Sequence, residues 1–352
     1  MSQATQVAVE QARTLRRRPA EGELCAALDR LLACHGCGRI VDIAARVMPY
    51  ASTASIEEVD VRLEDGRTLF LVCKDTGIPA ILPAARGVKP SFLCSPYREI
   101  AVYESILGPV PMGAPKCYGH MIDRRRGRYW LFLERIAGAP LAEIGEFDVW
   151  RRASRWLARM HADARLKGRL SASIDRVPLV RYDAAFYRRW MSRAREFQHA
   201  RSQNSPWERA RLEWLASRYS TIVEELDRLP VGFVHGEFYA SNVLVEGGSA
   251  AARVRPLDWE LAGIGSPLID LAALTAGWKE EPRRELVLTY HQELDSRDPT
   301  WLPFEAFTRA LDCFRVQLAV RCLGWARHWR PPQSHARDWL GEALQAADRI
   351  TR

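Results

Sequence analysis

The sequence predicts an α+β chain in two halves, a small antiparallel β-sheet followed by a larger, mainly helical part. Three observations predict it. Residues 39–75 have β texture, with apolar and polar positions alternating from Ile56 to Arg62, the chain after Gly138 follows helical periodicity, and a β island at 232–257 interrupts that helical run.

The elements follow in order. Residues 1–38 read as a leading helical segment, because Leu24, Ala27, Leu28, Leu31 and Leu32 recur at the spacing of one helix face. Cys34-His35-Gly36-Cys37 has the CxxC spacing of a redox pair or half a zinc site, but no second pair answers it. It is expected to be a helix end followed by a glycine turn. Strands are expected at Ile40–Ile43, Ile56–Arg62 and Thr68–Cys73, the last two joined by the turn Glu64-Asp65-Gly66-Arg67. A helix is expected from Tyr97 to Leu107, stopped by Gly108-Pro109-Val110-Pro111, and a further strand from Tyr129 to Glu134. The first lobe therefore spans residues 1–135, a sheet with one helix packed on it, and the second spans 136–352. In the second, a helix from Phe147 to Ala164 and amphipathic segments between Arg181 and Leu229 precede the island strands at 232–234, 242–245 and 254–257. The natural ligand site of such a chain is a cleft between its lobes.

Composition narrows the function. With 352 residues, 47% hydrophobic and 27% charged, the chain is neither a disordered tail nor a disulfide-stapled miniprotein. No run approaches eighteen apolar residues, so no membrane helix and no membrane partner are expected. The first eighteen residues lack an apolar h-region, and Arg16-Arg17-Arg18 reads as a solvated helix end, so a cytoplasmic location is expected. The eight cysteines then read as reduced thiols. The net charge is +8, and between Trp150 and Pro230 eighteen basic side chains face nine acidic ones. That balance favours anionic partners without choosing among them. No nucleic-acid-reading module accompanies the charge, so no nucleic-acid partner is expected.

Four features fall in a telling order: Val72-Cys73-Lys74 at a strand end; the acidic helix Arg98-Glu99-Ile100-Ala101-Val102-Tyr103-Glu104; His235-Gly236-Glu237 with Asn242 five residues beyond; and Asp258-Trp259-Glu260 followed by Asp270-Leu271-Ala272. Phosphoryl transfer from a nucleotide asks for these groups. A cation must hold the α/β phosphates, hard oxygen ligands must hold a metal, and a carboxylate can take the proton of an attacking hydroxyl. Positioning and charge neutralisation supply most of the rate, so no covalent intermediate is needed.

These residues resemble the Brenner and DxE motifs of the aminoglycoside phosphotransferase/choline kinase-like family, whose members have a two-lobed protein-kinase-like fold and phosphorylate small molecules. The resemblance runs in element order from Arg39 to Gly277. It implies that Lys74 holds the phosphates, with Glu99 or, as its rival, Glu104 as the partner. It implies Glu237 as catalytic base, Asn242 and Asp258 as Mg²⁺ ligands, and Glu260 as an outer contact to the metal. His235 and Asp270 would support the catalytic loop. Residues 50–55, with Ser52, Thr53 and Ser55, would cover the phosphates, and Leu133, Glu134 and Ile136 would meet the adenine. The implied cofactors are ATP, with GTP as an alternative, and Mg²⁺.

Two departures qualify the resemblance. The family's base is Asp, and Glu237 is one methylene longer with nearly the same intrinsic pKa. The phosphate loop carries Ser and Thr where protein kinases use Gly. Each residue also has a plain reading: Lys74 as a surface lysine, Glu99 as a solvated helix acid, His235 as a structural histidine, Trp325 and Trp329 as core. Only eleven residues separate Asp258 from Asp270, which leaves no room for a peptide-docking platform. The acceptor is therefore expected to be a small hydroxyl compound, neutral or anionic given the arginines of the helical region. A nucleotide-binding pseudokinase acting as a sensor or scaffold is the alternative, motivated by the Glu at 237. The protein is expected to be a monomer or a homodimer.

Overall fold

The structure is a computed structural model, and it describes residues 21–48, 54–82, 85, 89–110, 112–201, 206–248, 251–299, 301–325 and 337–351. Ser52, Thr53 and Trp329 lie outside the described residues. Packing divides the chain into two units, residues 1–85 with 116–135, and residues 86–115 with 136–352.

The first unit contains helix α1 (Glu21–Cys34) and strands β1 (Ile40–Val47), β2 (Ser55–Leu63) and β3 (Thr68–Asp75). Helix α2 (Arg98–Val102, continued by π-helical turns to Leu107) follows in sequence but belongs to the second unit. Strands β4 (Cys117–Asp123) and β5 (Arg128–Glu134) complete an antiparallel sheet ordered β1-β2-β3-β5-β4. The alternation in β2 and β3 turns Val59, Val61, Leu63, Leu71 and Cys73 to one face, where Leu24, Ala27, Leu28 and Leu32 of α1 cover them with Trp130 and Phe132. Each fully buried leucine or valine of this kind contributes about 1.5–3 kcal/mol. The helix on the sheet is thus α1. The expected first lobe ran unbroken to residue 135, yet residues 86–115 pack with the second unit, a correction whose cause is the long-range bonding of Arg98 and Glu99 described below.

Helix α1 stops where the glycine turn was expected. Gly36 has φ +64°, and the Cys37 and Gly36 amides donate back to the carbonyls of Leu32 and Ala33. All eight cysteines are free.

The second unit contains short strand β6 (Ala139–Pro140), helices α3 (Phe147–Ala162) and α4 (Ala164–Ser173), strand β7 (Val180–Arg181), and helices α5 (Ala184–Arg201) and α6 (Pro206–Asp227). Strands β8 (Gly232–Val234), β9 (Val243–Glu246), β10 (Arg253–Pro256) and β11 (Gly263–Gly265) follow, and then helices α7 (Leu268–Leu274), α8 (Glu280–Asp295), α9 (Phe304–Leu323) and α10 (Trp339–Thr351). The β island is two three-stranded sheets, β10-β9-β6 and β7-β11-β8, where the sequence suggested one. Among the described residues, no helix is long and apolar enough to cross a membrane.

Candidate active site

The segment from β8 to α7 folds as a set of turns pinned by one buried acid. Asp270, in α7, is completely buried. Its carboxylate accepts the His235 amide at 2.7 Å and the Gly236 amide at 2.8 Å. It also lies 3.2 Å from His161 Nε2, and Nδ1 of that ring lies 2.7 Å from the Tyr290 hydroxyl. A carboxylate accepts only, so Nε2 carries the proton and Nδ1 accepts from Tyr290. Three donors thus satisfy the oxygens of this buried side chain.

His235 is fixed by its own ring. Nδ1 accepts the Glu237 amide at 3.3 Å, which leaves the proton on Nε2, and Nε2 donates to the Leu257 carbonyl at 2.8 Å. The imidazole is therefore a tie between the loop before β9 and the residue before Asp258. Trp259 lies against it with ring centroids 4.4 Å apart, and stacks on Phe233 at 5.6 Å.

Gly236 has φ +83°. A Cβ there would stand 2.1 Å from the Tyr182 hydroxyl and 2.4 Å from the Leu261 carbonyl, which are themselves hydrogen-bonded at 2.6 Å. We expect Gly236→Ala to destabilise the protein by about 1–3 kcal/mol and to impair the loop. Thermal unfolding checks this, and an unchanged Tm would contradict the packing described.

Glu237 follows directly. Its side chain is mostly buried, and Arg321 of α9 forms an ion pair with Oε1 while donating to the Gly236 carbonyl at 2.9 Å. Burial pushes the Glu237 carboxyl up to about 7, with Glu260 and Asp258 adding to the rise and the Arg321 and Lys89 cations opposing it. The Arg321 guanidinium is held charged against its own burial by Tyr239, Glu237 and Tyr182, and it lies over the ring of Trp325, which is stacked on Trp190. Trp325, for which the plain reading was core, is half-buried beside this cation.

Asn242 ends a short 3₁₀ turn ahead of β9, and its Nδ2 donates to the Glu237 carbonyl at 3.0 Å. Its own carbonyl accepts the Leu257 amide at 2.8 Å, so pairing of β9 with β10 brings residue 258 beside residue 242 along the chain. Asp258 has φ +63°, the one positive value among described non-glycine residues. Such a conformation costs about 1–3 kcal/mol and persists where the surroundings impose it. Here they do: the Trp259 amide donates to Glu99 Oε1 at 3.2 Å, and Arg98 holds the Glu260 carbonyl at 2.8 Å. Arg98 also bonds the carbonyls of Leu93 and Pro178.

The structure therefore gathers His235, Glu237, Asn242, Asp258, Glu260, Asp270 and Glu99 in the second unit. Glu99 is buried and turned to the Trp259 backbone, whereas its rival Glu104 is exposed and bonded by the Tyr97 hydroxyl. Ile136 also belongs to the second unit. Lys74, Ser55, Leu133 and Glu134 belong to the first. Lys74 is 6% exposed in β3, which removes the reading of a surface lysine, and Ser55 opens β2 opposite Asp75. Glu260, expected beside the metal, is engaged by Lys89 at 2.7 Å.

Three residues of this site were missed in the sequence: Arg321, Lys89 and His161. Arg321 left a trace as the lone charge in the apolar run from Val316 to Leu323. His161 sits on the buried face of α3, and Lys89 left no signal.

The donor set suits a hard divalent cation. Among the described residues no group of three or more His, Cys, Asp or Glu side chains forms a ready cage. One carboxylate and one amide oxygen are what Mg²⁺ accepts when phosphates and waters complete its shell.

Comparison with known proteins bears on the whole arrangement. Three solved structures share its fold. The microcompartment-associated aminopropanol kinase is 15% identical, with 90% of this chain and 93% of that one covered at a TM-score of 0.55. Choline kinase from Cryptosporidium parvum Iowa II is 11% identical, with 88% of each chain covered at 0.54. Aminoglycoside 2′-phosphotransferase-IIIa, in its GDP complex, is 15% identical, with 91% and 95% covered at 0.54. These likenesses bear out the α+β, two-lobed protein-kinase-like fold expected from the sequence. No curated protein matches the sequence. The profile of the phosphotransferase enzyme family, APH, matches residues 97–307, more than half of the chain and all of the pinned segment from His235 to Asp270. The chain belongs to that phosphotransferase enzyme family.

Proposed function

We propose that the protein transfers the γ-phosphoryl group of ATP to a hydroxyl group of a small molecule. The observation that carries this reading is Glu237: a mostly buried carboxylate, held by Arg321 on a loop pinned by Asp270, with its pKa pushed up to about 7. A general base is most effective when its pKa lies near the working pH. Arg321 engages Oε1, and Oε2 would receive the acceptor's proton as its oxygen bonds to phosphorus. The bond from phosphorus to the bridging oxygen breaks, and ADP leaves. Asn242 and Asp258 would hold Mg²⁺, which supplies charge neutralisation to the phosphates when bound. Lys74 would hold the α/β phosphates, Ser52, Thr53 and Ser55 would cover them, and Leu133, Glu134 and Ile136 would meet the base. Glu260, already paired with Lys89, would support the metal site from outside it.

The proteins similar in fold are named for aminopropanol, choline and aminoglycosides, all hydroxyl compounds. The arginine excess of the helical region between Trp150 and Pro230 supports a neutral or anionic acceptor over a polycationic one. Free cysteines throughout are consistent with a cytoplasmic setting. The test is ADP release from ATP and Mg²⁺, with a parallel GTP arm, across a panel of hydroxyl metabolites of differing charge. Turnover of a neutral or anionic member is expected. Turnover of aminoglycosides alone would overturn the acceptor class, and nucleotide binding without ADP release across the panel would favour the pseudokinase reading.

A further inference from the structure

Apart from the pinned loop, the second unit carries a concavity of about 430 Å³ lined by arginine. Arg152, Arg155 and Arg159 come from α3, where spacings of three and four residues place them on one helix face. Arg253 and Arg255 come from β10, where alternate residues share a face. Neither Glu237 nor Asn242 nor Asp258 lines it.

The charges in this concavity are incompletely matched. Glu246 serves both Arg253 and Arg255, at 3.0 and 2.7 Å. Glu293 serves both Arg159 and Arg297, at 2.9 and 2.8 Å. Arg152 and Arg155 are exposed and make no ion pair with a described residue; their charge is felt by Asp148, which is already paired with Arg151. Five guanidinium groups around one concavity repel one another, and an anion relieves that repulsion. Arginine's planar fork matches phosphate in particular. The volume is that of a metabolite pocket, not of a duplex groove.

One wall links the concavity to the catalytic loop. Trp156 lines it and stacks on Phe238, with ring centroids 5.6 Å apart and planes within 4°. Phe238 is the residue after Glu237. Arg255 Nε bonds the carbonyl of Gly113, another lining residue, at 2.7 Å, so a backbone turn is fixed in the lining.

We infer that this pocket binds a small metabolite carrying two or more phosphate groups, at a site separate from the one built around Glu237. The test is calorimetric titration of the full chain with fructose 1,6-bisphosphate and with pyrophosphate. A non-hydrolysable ATP analogue and Mg²⁺ are kept saturating, so that the nucleotide site is filled. One-to-one binding of at least one probe is expected, with no binding of fructose. The exposed double variant Arg152→Ala/Arg155→Ala should weaken it by about tenfold, and Arg188→Ala, outside the pocket, should leave it unchanged. Absence of binding by both probes, an unchanged affinity in the double variant, or equal weakening by Arg188→Ala overturns the proposal. So does preferential binding of a short DNA duplex. Because the readout is binding alone, failure here leaves the phosphotransfer reading intact.

Discussion

Glu237→Gln is expected to lower kcat by about 10²–10⁴-fold, the usual worth of a general base, while ATP affinity stays unchanged. Glutamine keeps the length and an oxygen for Arg321, so the loop's hydrogen bonding survives and only the proton-accepting capacity is lost. Turnover at saturating acceptor and nucleotide binding, measured side by side, separate these effects. Glu237→Asp adds a second handle. It restores the acid implied by the family resemblance but withdraws the carboxylate from Arg321 by about one bond length. It should retain partial turnover and thereby show that a carboxylate, not the fold alone, is required. Full activity in Glu237→Gln would remove the base from the mechanism. Loss of nucleotide affinity in both variants would assign Glu237 a structural role instead.

The second large effect belongs to Arg321, which acts through Glu237 and is a positioning residue. Its fork bonds the Gly236 carbonyl and the Glu237 carboxylate together. Arg321→Met should lower kcat by about 10²-fold through misplacement of the base and leave the KM for ATP unchanged. Breaking one side of a buried ion pair also costs about 3–5 kcal/mol of stability, so the Met variant needs a companion. Arg321→Lys keeps the charge, fills the space and loses the fork; its kcat should fall between wild type and the Met variant. Equal losses in Lys and Met with an unshifted pH profile would make Arg321 a mere packing residue.

Much of this site was legible because its residues lie close in sequence. His235, Glu237 and Asn242 fall within eight positions, and Asp258, Glu260 and Asp270 within thirteen, so they form compact motifs on which the family resemblance could rest and from which it implied a shared loop system. What escaped depends on long-range packing. Arg321 reaches Glu237 from α9, eighty-four positions away, and Lys89 reaches Glu260 from 171 positions away. The lone charge at 321 marks the residue but not its partner, and nothing local marks Lys89. The same cause moved residues 86–115 to the second unit, since Arg98 and Glu99 bond to residues 259 and 260. Strand β4 was missed for a local reason. Its seven residues are all half-buried, which leaves no alternation, and Gly119 sits at φ +124° against Leu31. The strands with one buried face, β2 and β3, were read to within two residues at each end.

The pH dependence of turnover tests the central claim most directly, because it follows the proton that Glu237 is said to accept. The base works deprotonated, so activity falls as pH drops through its pKa. Wild-type kcat/KM should show an acid limb with its midpoint near the value of about 7 set by burial. Arg321 lowers that pKa, so the Arg321→Met limb should lie at higher pH. A wild-type profile flat from about pH 5 to 8, where a base of this kind must titrate, would contradict the account, as would a limb that stays in place when Arg321 is removed.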